Sequence, residues 1–235
     1  MDTALRTNHD IVLDRIVAAC RQADRSPSEV TVVAITKTFP ASYISNAYAL
    51  GIRHFGENRV QEMLDKLGDG KVQRECHEAT LHLVGHLQSN KVRKALQVAS
   101  AVDSVDSFHL AQAIDRVADE LGRAVRILIE VNTSGEPQKY GIPPNQVLSL
   151  AESILPLPSL RLAGFMTVGP NVDDEDSIRR SFAELRKRFQ EVKEKLHPSH
   201  WSVLSMGMSG DYPIAIEEGA TEIRLGTALF GTRSP

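Results

Sequence analysis

A single lysine follows a dense apolar segment near the start of the chain. In "VVAITKTFP", residues 32–40, four apolar residues and a threonine precede Lys37, and Pro40 then interrupts the segment. A lysine at the end of a strand most often only carries its amine to solvent. A lysine held in a buried, cationic environment can instead act as a nucleophile that forms carbonyl adducts. The segment alone leaves both interpretations open.

Two glycine-containing segments near the other end of the chain could bind phosphate. In "SMGMSGDYP", Gly207 and Gly210 bracket Ser209, and in "RLGTALFG", Gly226 precedes Thr227. Glycine lets a backbone approach a ligand closely, and free N–H groups at a helix start, helped by a hydroxyl, suit a phosphate dianion. The structural alternatives are ordinary turn glycines and a helix cap at Ser209.

Eight short apolar segments alternate with helical patterns and would position these residues. We predict strands at 30–37, 52–57, 81–85, 101–105, 126–131, 162–168, 201–207 and 221–226. Ile11, Ile16, Val17 and Cys20 recur at roughly helical spacing and predict an amphipathic helix over 8–24. Parallel strands need crossovers, and closing the sheet removes its edges. We therefore predict a single α/β domain over 1–235, a (β/α)₈ barrel of the TIM type after an N-terminal helix, with a doubly wound open sheet as the alternative.

Composition limits the classes of partner. The chain has 235 residues, 42% of them hydrophobic, and a net charge of -3, which gives no basic bias for nucleic acid. The first residues lack a secretory pattern, and no run of about 18 apolar residues suggests a membrane span. Cys20 and Cys76 stand alone, without zinc-ligand spacing. We expect a cytoplasmic protein with no metal site, no disulfide framework, no nucleic-acid partner and no membrane partner.

The barrel would bring the lysine and the glycine segments together. Functional sites of such barrels lie at the C-terminal strand ends, and the loops after strands seven and eight commonly hold phosphate. Strand one adjoins strand eight, so Lys37 would face Ser209 and Thr227. Arg224, two residues before Gly226, would point into the same mouth unless it forms a surface ion pair. A phosphate site, an imine-forming amine and an arginine opposite a ring nitrogen together fit pyridoxal 5′-phosphate, PLP.

The chain also resembles a known family through segments that run nearly end to end. They are "VAITKTFP", "HFGENRVQE", "LHLVGHLQSNK", "SVDS", "VNTSGEPQKYG", "GFMTVG" and "LSMGMSGDYPIAIEEGATEIRLGTALFG". In this order they resemble the YggS/PROSC family of PLP homeostasis proteins, whose barrel is similar to the N-terminal domain of alanine racemase. The resemblance implies that Lys37 is the Schiff-base lysine, that Ser209, Gly226 and Thr227 hold the phosphate, and that Arg224 faces the pyridine nitrogen.

Further residues belong to the predicted cofactor site on weaker grounds. Asn58, after strand two, would contact the cofactor or cap the next helix. Met166, at the end of strand six, would be core or cofactor wall. Ser205 and Gly207 flank the end of strand seven. After strand three, "GHLQSNK" carries His86, Ser89 and Asn90, for which helix capping is the simpler interpretation.

One position departs from the family pattern. The residue two after the Schiff-base lysine is commonly another lysine in the family, whereas here it is Phe39. The imine chemistry does not depend on this position. This departure leaves open whether a second amine at the rim of the site has a role in transferring the cofactor to another protein.

Three functions remain open from the sequence. The resemblance implies a monomeric protein that holds PLP as an internal aldimine, takes part in PLP homeostasis and supplies PLP-dependent apoenzymes, without established turnover. The alternative is an amino-acid racemase or related PLP enzyme of weak or unidentified activity. A racemase needs a second acid/base, and only Tyr212 lies close in sequence to the phosphate loop. A lysine-imine aldolase acting on a phosphorylated sugar is the third.

Overall fold

Eight parallel strands close into one barrel, in which each strand pairs with the next along the chain and the last pairs with the first. The computed structural model describes residues 3–232. The strands are β1 (Thr31–Ile35), β2 (His54–Glu57), β3 (Thr80–Leu83), β4 (Ala101–Val105), β5 (Val125–Glu130), β6 (Leu160–Met166), β7 (Val203–Ser205) and β8 (Glu222–Leu225). The barrel expected from the sequence is confirmed, and the open sheet is excluded because β8 pairs with β1.

Helices cover the outside of the barrel and connect successive strands. They are α1 (Thr3–Gln22), α2 (Ser42–Ala49), α3 (Val60–Leu67), α4 (Lys71–Glu75), α5 (Val92–Ala95), α6 (Phe108–Glu120), α7 (Val147–Ile154), α8 (Glu175–Leu196), α9 (Tyr212–Glu217) and α10 (Thr227–Phe230). Short 3₁₀ turns lie at Pro27–Glu29, Ser89–Lys91 and Pro144–Gln146. The strands are buried on both faces, which explains their continuous apolar sequences.

The opening helix packs through a face that differs from the one expected. α1 contacts α9 and α10 and buries Ile16 and Cys20, together with Val12. Ile11 and Val17, which belonged to the predicted apolar pattern, are 49% and 51% exposed. Val12, Ile16 and Cys20 follow one another at intervals of four and form a single line on the helix, whereas Ile11 and Val17 lie beside that line. The helix itself is confirmed, beginning earlier than expected.

Strand one ends before the lysine. β1 stops at Ile35, and the amide of Phe39 donates to the carbonyl of Thr36 at 3.0 Å, so that Lys37 lies in a turn. Thr38, the next residue, has a φ of +67°, a conformation that β-branched residues rarely adopt. Lys37 is therefore carried by a turn rather than by the strand.

None of the described helices is long and apolar enough to cross a membrane.

Candidate functional site

A cavity of about 290 Å³ opens at the C-terminal ends of β8 and β1. Five residues that the sequence pointed to line it together, from three different parts of the chain: Lys37, Ser209, Arg224, Gly226 and Thr227. Ile35, Phe39, Met208 and Gly210 complete the wall. The cavity thus combines one primary amine, one guanidinium, two hydroxyls and two glycines.

The two loops at one end of the cavity are tied together through Ser209. Its Oγ accepts hydrogen bonds from the amides of Gly226 at 3.3 Å and Ala228 at 3.1 Å. A Cβ on Gly210 would meet no protein atom within 4 Å, and one on Gly226 would meet nothing closer than 3.6 Å. The surrounding protein therefore leaves room for a larger side chain at both positions. Amides, hydroxyls and bare backbone that converge in this way suit a phosphate group.

Arg224 forms the floor of the cavity and is held rigidly. The residue is 5% exposed. Its Nη1 donates to Ser205 Oγ at 2.9 Å, and its Nη2 donates to the carbonyl of Thr167 at 2.7 Å. Burial lowers the pKa of the guanidinium, and the charges of Glu222 and Asp103 oppose that shift. A fixed donor of this kind can bind a ring nitrogen that carries no proton.

Three other predicted site residues are not among those that line the cavity. Ser205 is fully buried and accepts from Arg224, so it orients the guanidinium. Met166 is 1% exposed and packs with other apolar residues inside the barrel. Gly207 has a φ of +93°, and a Cβ there would lie 2.6 Å from the Cβ of Ala215, so packing against α9 requires this glycine.

Two other interpretations from the sequence concerned helix caps. Asn58 follows β2, but the residue that caps α3 is Arg59, which makes no side-chain cap bond. In the segment after β3, the 3₁₀ turn at Ser89–Lys91 likewise has no side-chain cap. His86 instead stacks on Tyr140 at 4.2 Å between ring centroids.

Phe39 belongs to an aromatic group at the rim of the cavity. Its ring lies 4.7 Å from that of Tyr43 and 5.2 Å from that of Phe230, measured between centroids. Because Phe39 also lines the cavity, an apolar surface stands where the family pattern places a second amine.

Sequence reasoning missed Glu130, the last residue of β5. The residue is 7% exposed, and its Oε2 has no hydrogen-bond partner among the described residues. Burial and the charge of Asp106 raise the pKa of this carboxyl to about 7, and Arg224 opposes the shift. The sequence feature that could have indicated it is an acidic residue directly after three apolar residues of the predicted strand "RILIEV".

A charged layer lies inside the barrel below Arg224. His54 and His82 are joined through ring nitrogens 2.9 Å apart, and His82 Nδ1 lies 2.7 Å from Asp103 Oδ2. Arg126 Nη2 donates to Glu222 Oε2 at 2.7 Å and lies 3.9 Å from Asp103 Oδ1. Ligand atoms of His82, Asp103 and Glu222 lie within 4.8 Å of one another, but Arg126 already provides a cation to both carboxylates. The carboxylates of this layer oppose the lowering of the Arg224 pKa and so stabilise the charge of the floor.

Fold and site together define a barrel of the alanine racemase type. A family model described as the alanine racemase N-terminal domain matches residues 11–234.

Curated relatives narrow this class. A protein from Vibrio cholerae named pyridoxal phosphate homeostasis protein is 37% identical over 230 residues, which cover 98% of this chain and 97% of the relative. The chain belongs to the family of pyridoxal phosphate homeostasis proteins.

Solved structures agree with this assignment. A crystal structure of an unknown protein from Bifidobacterium adolescentis superimposes with a TM-score of 0.91 at 40% identity, covering 98% of this chain and 97% of that one. PipY of Synechococcus elongatus, solved with PLP bound, gives a TM-score of 0.80 at 36% identity, covering 94% of this chain and 100% of PipY.

Proposed function

We propose that this protein binds pyridoxal 5′-phosphate through Lys37 and takes part in intracellular PLP homeostasis. The observation that carries the proposal is the single cavity in which an amine, two hydroxyl-bearing loops and a buried arginine meet. The PLP-bound structure of PipY supports the choice of ligand. A sugar-phosphate aldolase would form its imine without a cofactor and would therefore absorb no visible light.

Each residue of the cavity has a distinct task in this proposal. When bound, the cofactor supplies an aldehyde that condenses reversibly with a primary amine, with loss of water. Lys37 supplies the amine. Ser209 and Thr227 donate hydroxyl hydrogen bonds to the phosphate, and Gly210 and Gly226 leave room for it. Arg224 donates to the pyridine nitrogen and thereby keeps that nitrogen unprotonated.

The same geometry favours a carrier over a racemase. A ring nitrogen that faces a guanidinium stays unprotonated, which weakens the ring as an electron sink. Tyr212, the tyrosine nearest in sequence to the phosphate loop, is 1% exposed and belongs to the apolar core. Tyr43 is part of the aromatic rim, and none of the four tyrosines is among the residues that line the cavity.

We infer further that the protein acts in the cytoplasm as a monomer and passes PLP to PLP-dependent apoenzymes. This inference follows the resemblance described for the sequence. Light scattering of the PLP-loaded protein tests the monomeric state, and transfer of PLP to a purified apoenzyme, measured by recovered activity, tests delivery.

The ligand assignment is tested by absorption spectroscopy. After unbound PLP has been removed, the protein should absorb visible light, and borohydride should abolish that absorption while adding a pyridoxyl group to the protein mass. Pyridoxine 5′-phosphate, which has a hydroxymethyl group in place of the aldehyde, should bind without either effect. A protein that binds both compounds equally and gains no mass would exclude covalent binding.

We expect the phosphate loops to contribute through individual hydroxyls. Each charge-assisted hydrogen bond contributes about 1.5–3 kcal/mol, so Ser209→Ala and Thr227→Ala should each weaken PLP retention by about tenfold or more. Equilibrium dialysis measures the effect, and Ser149→Ala, on the exposed side of α7, serves as the control. If both variants retain PLP like the parent, the phosphate lies elsewhere.

A further inference from the structure

Three charged residues of β2 and α3 bind the two residues on either side of Lys37. On one side, the hydroxyl of Thr36 donates to Glu57 Oε1 at 2.6 Å, and the carbonyl of Thr36 accepts from Lys66 Nζ at 2.7 Å. On the other side, the amide of Thr38 donates to Glu62 Oε1. Both neighbours of the amine-bearing residue are therefore fixed by side chains of β2 and α3.

The three charged residues also bind one another. Lys66 Nζ lies 2.6 Å from Glu57 Oε1 and 3.5 Å from Glu62 Oε1. The side chains of Glu57 and Lys66 are 2% and 8% exposed, so the pair is shielded from water. Burial raises the pKa of the Glu57 carboxyl, and the hydrogen bonds from Lys66 and Thr36 oppose that shift. One lysine thus joins the two carboxylates that bind the turn.

The turn needs such support because of its conformation. Thr38 has a φ of +67°, which is unfavourable for a β-branched residue. Residues held in this region persist only where the surroundings determine them, and they cluster at functional sites. The bond from the Thr38 amide to Glu62 stabilises this conformation, and the conformation in turn directs Lys37 into the cavity.

We propose that Glu57, Lys66 and Glu62 form a clamp that positions Lys37 for covalent capture of the PLP aldehyde. This proposal rests on the proposed function, because it concerns the amine assigned there. The three residues are not among those that line the cavity, so they are positioning residues. The clamp acts on the covalent step and leaves binding through the phosphate and the ring unchanged.

Glu62→Ala provides the sharpest test, because Glu62 is the most exposed member of the clamp, at 25%. PLP forms the covalent link and pyridoxine 5′-phosphate cannot, so comparing the two ligands isolates the step. We expect Glu62→Ala to weaken PLP retention by about tenfold, which corresponds to ~1.4 kcal/mol, and to leave the dissociation constant for pyridoxine 5′-phosphate unchanged. The rate of adduct formation, followed by stopped-flow absorption, should fall as well.

Two further variants make the result specific. Glu62→Gln keeps an oxygen that accepts from the Thr38 amide and should restore most of the PLP retention. Asp65→Ala removes a carboxylate from an exposed position of the same helix and should behave like the parent.

The clamp is refuted if the parent forms its adduct but Glu62→Ala weakens the binding of both ligands equally, or weakens the binding of neither. If borohydride reduction leaves no pyridoxyl adduct on the parent protein, the proposed function itself is refuted, and the clamp with it.

Discussion

Replacing Lys37 with alanine should abolish covalent PLP binding completely. Lys37 is the lysine that lines the cavity beside the phosphate loops and Arg224, so the variant has no amine there to condense with the aldehyde. The visible absorption of the loaded protein should disappear, and borohydride should no longer attach a pyridoxyl group. Phosphate and ring contacts remain, so the variant should still bind pyridoxine 5′-phosphate as the parent does.

Peptide mapping of the reduced parent checks the same assignment directly. The pyridoxyl group should appear on the peptide that contains Lys37. Lys91 and Lys139 are suitable control positions, since Lys91 lies in a 3₁₀ turn after β3 and Lys139 donates to the carbonyl of Gly169 at 2.7 Å. Lys91→Ala and Lys139→Ala should keep the adduct. An adduct confined to either of these lysines would refute the assignment of Lys37.

The sequence predicted the barrel and the cavity wall because both depend on spacing that barrel closure preserves. Alternation of strands and crossovers fixes which strand ends meet, so the sequence alone places Lys37 and Thr227 together. Strand limits were less predictable. β1 ends at Ile35, two residues before Lys37, because the Phe39 amide donates to the Thr36 carbonyl and closes a turn there.

The parts that escaped sequence analysis depend on contacts between different elements of the fold. The buried face of α1 was misjudged at Ile11 and Val17, because both faces of that helix carry apolar residues and only its contact with α9 and α10 selects one. The clamp ties the turn after β1 to residues of β2 and α3. Glu130 could not be predicted for another reason. A single acidic residue in the sequence of an apolar strand does not show whether its carboxylate has a hydrogen-bond partner.

Glu130 should make the stability of the ligand-free protein fall as the pH rises. Its pKa is raised from 4.5 to about 7, mainly by burial, so the folded state binds this proton more tightly than the unfolded state does. The stabilising contribution is therefore fully present below pH 4.5 and is lost as the pH rises to about 7. Above that range the folded protein must hold a buried carboxylate whose Oε2 has no partner among the described residues.

Glu130→Gln removes this charge while keeping the shape of the side chain. The shift in pKa corresponds to ~3 kcal/mol. At pH 8 the free energy of unfolding of the ligand-free variant should therefore exceed that of the parent by about this amount. The difference should shrink as the pH falls and vanish below pH 4.5, where the parent carries the proton in both states. Urea unfolding at several pH values measures it, with Glu75→Gln, at an exposed position of α4, as the control for the substitution itself. A difference that does not change with pH, or a variant less stable than the parent at pH 8, would show that the Glu130 carboxylate is compensated in the folded state and that the open mouth of the barrel solvates it.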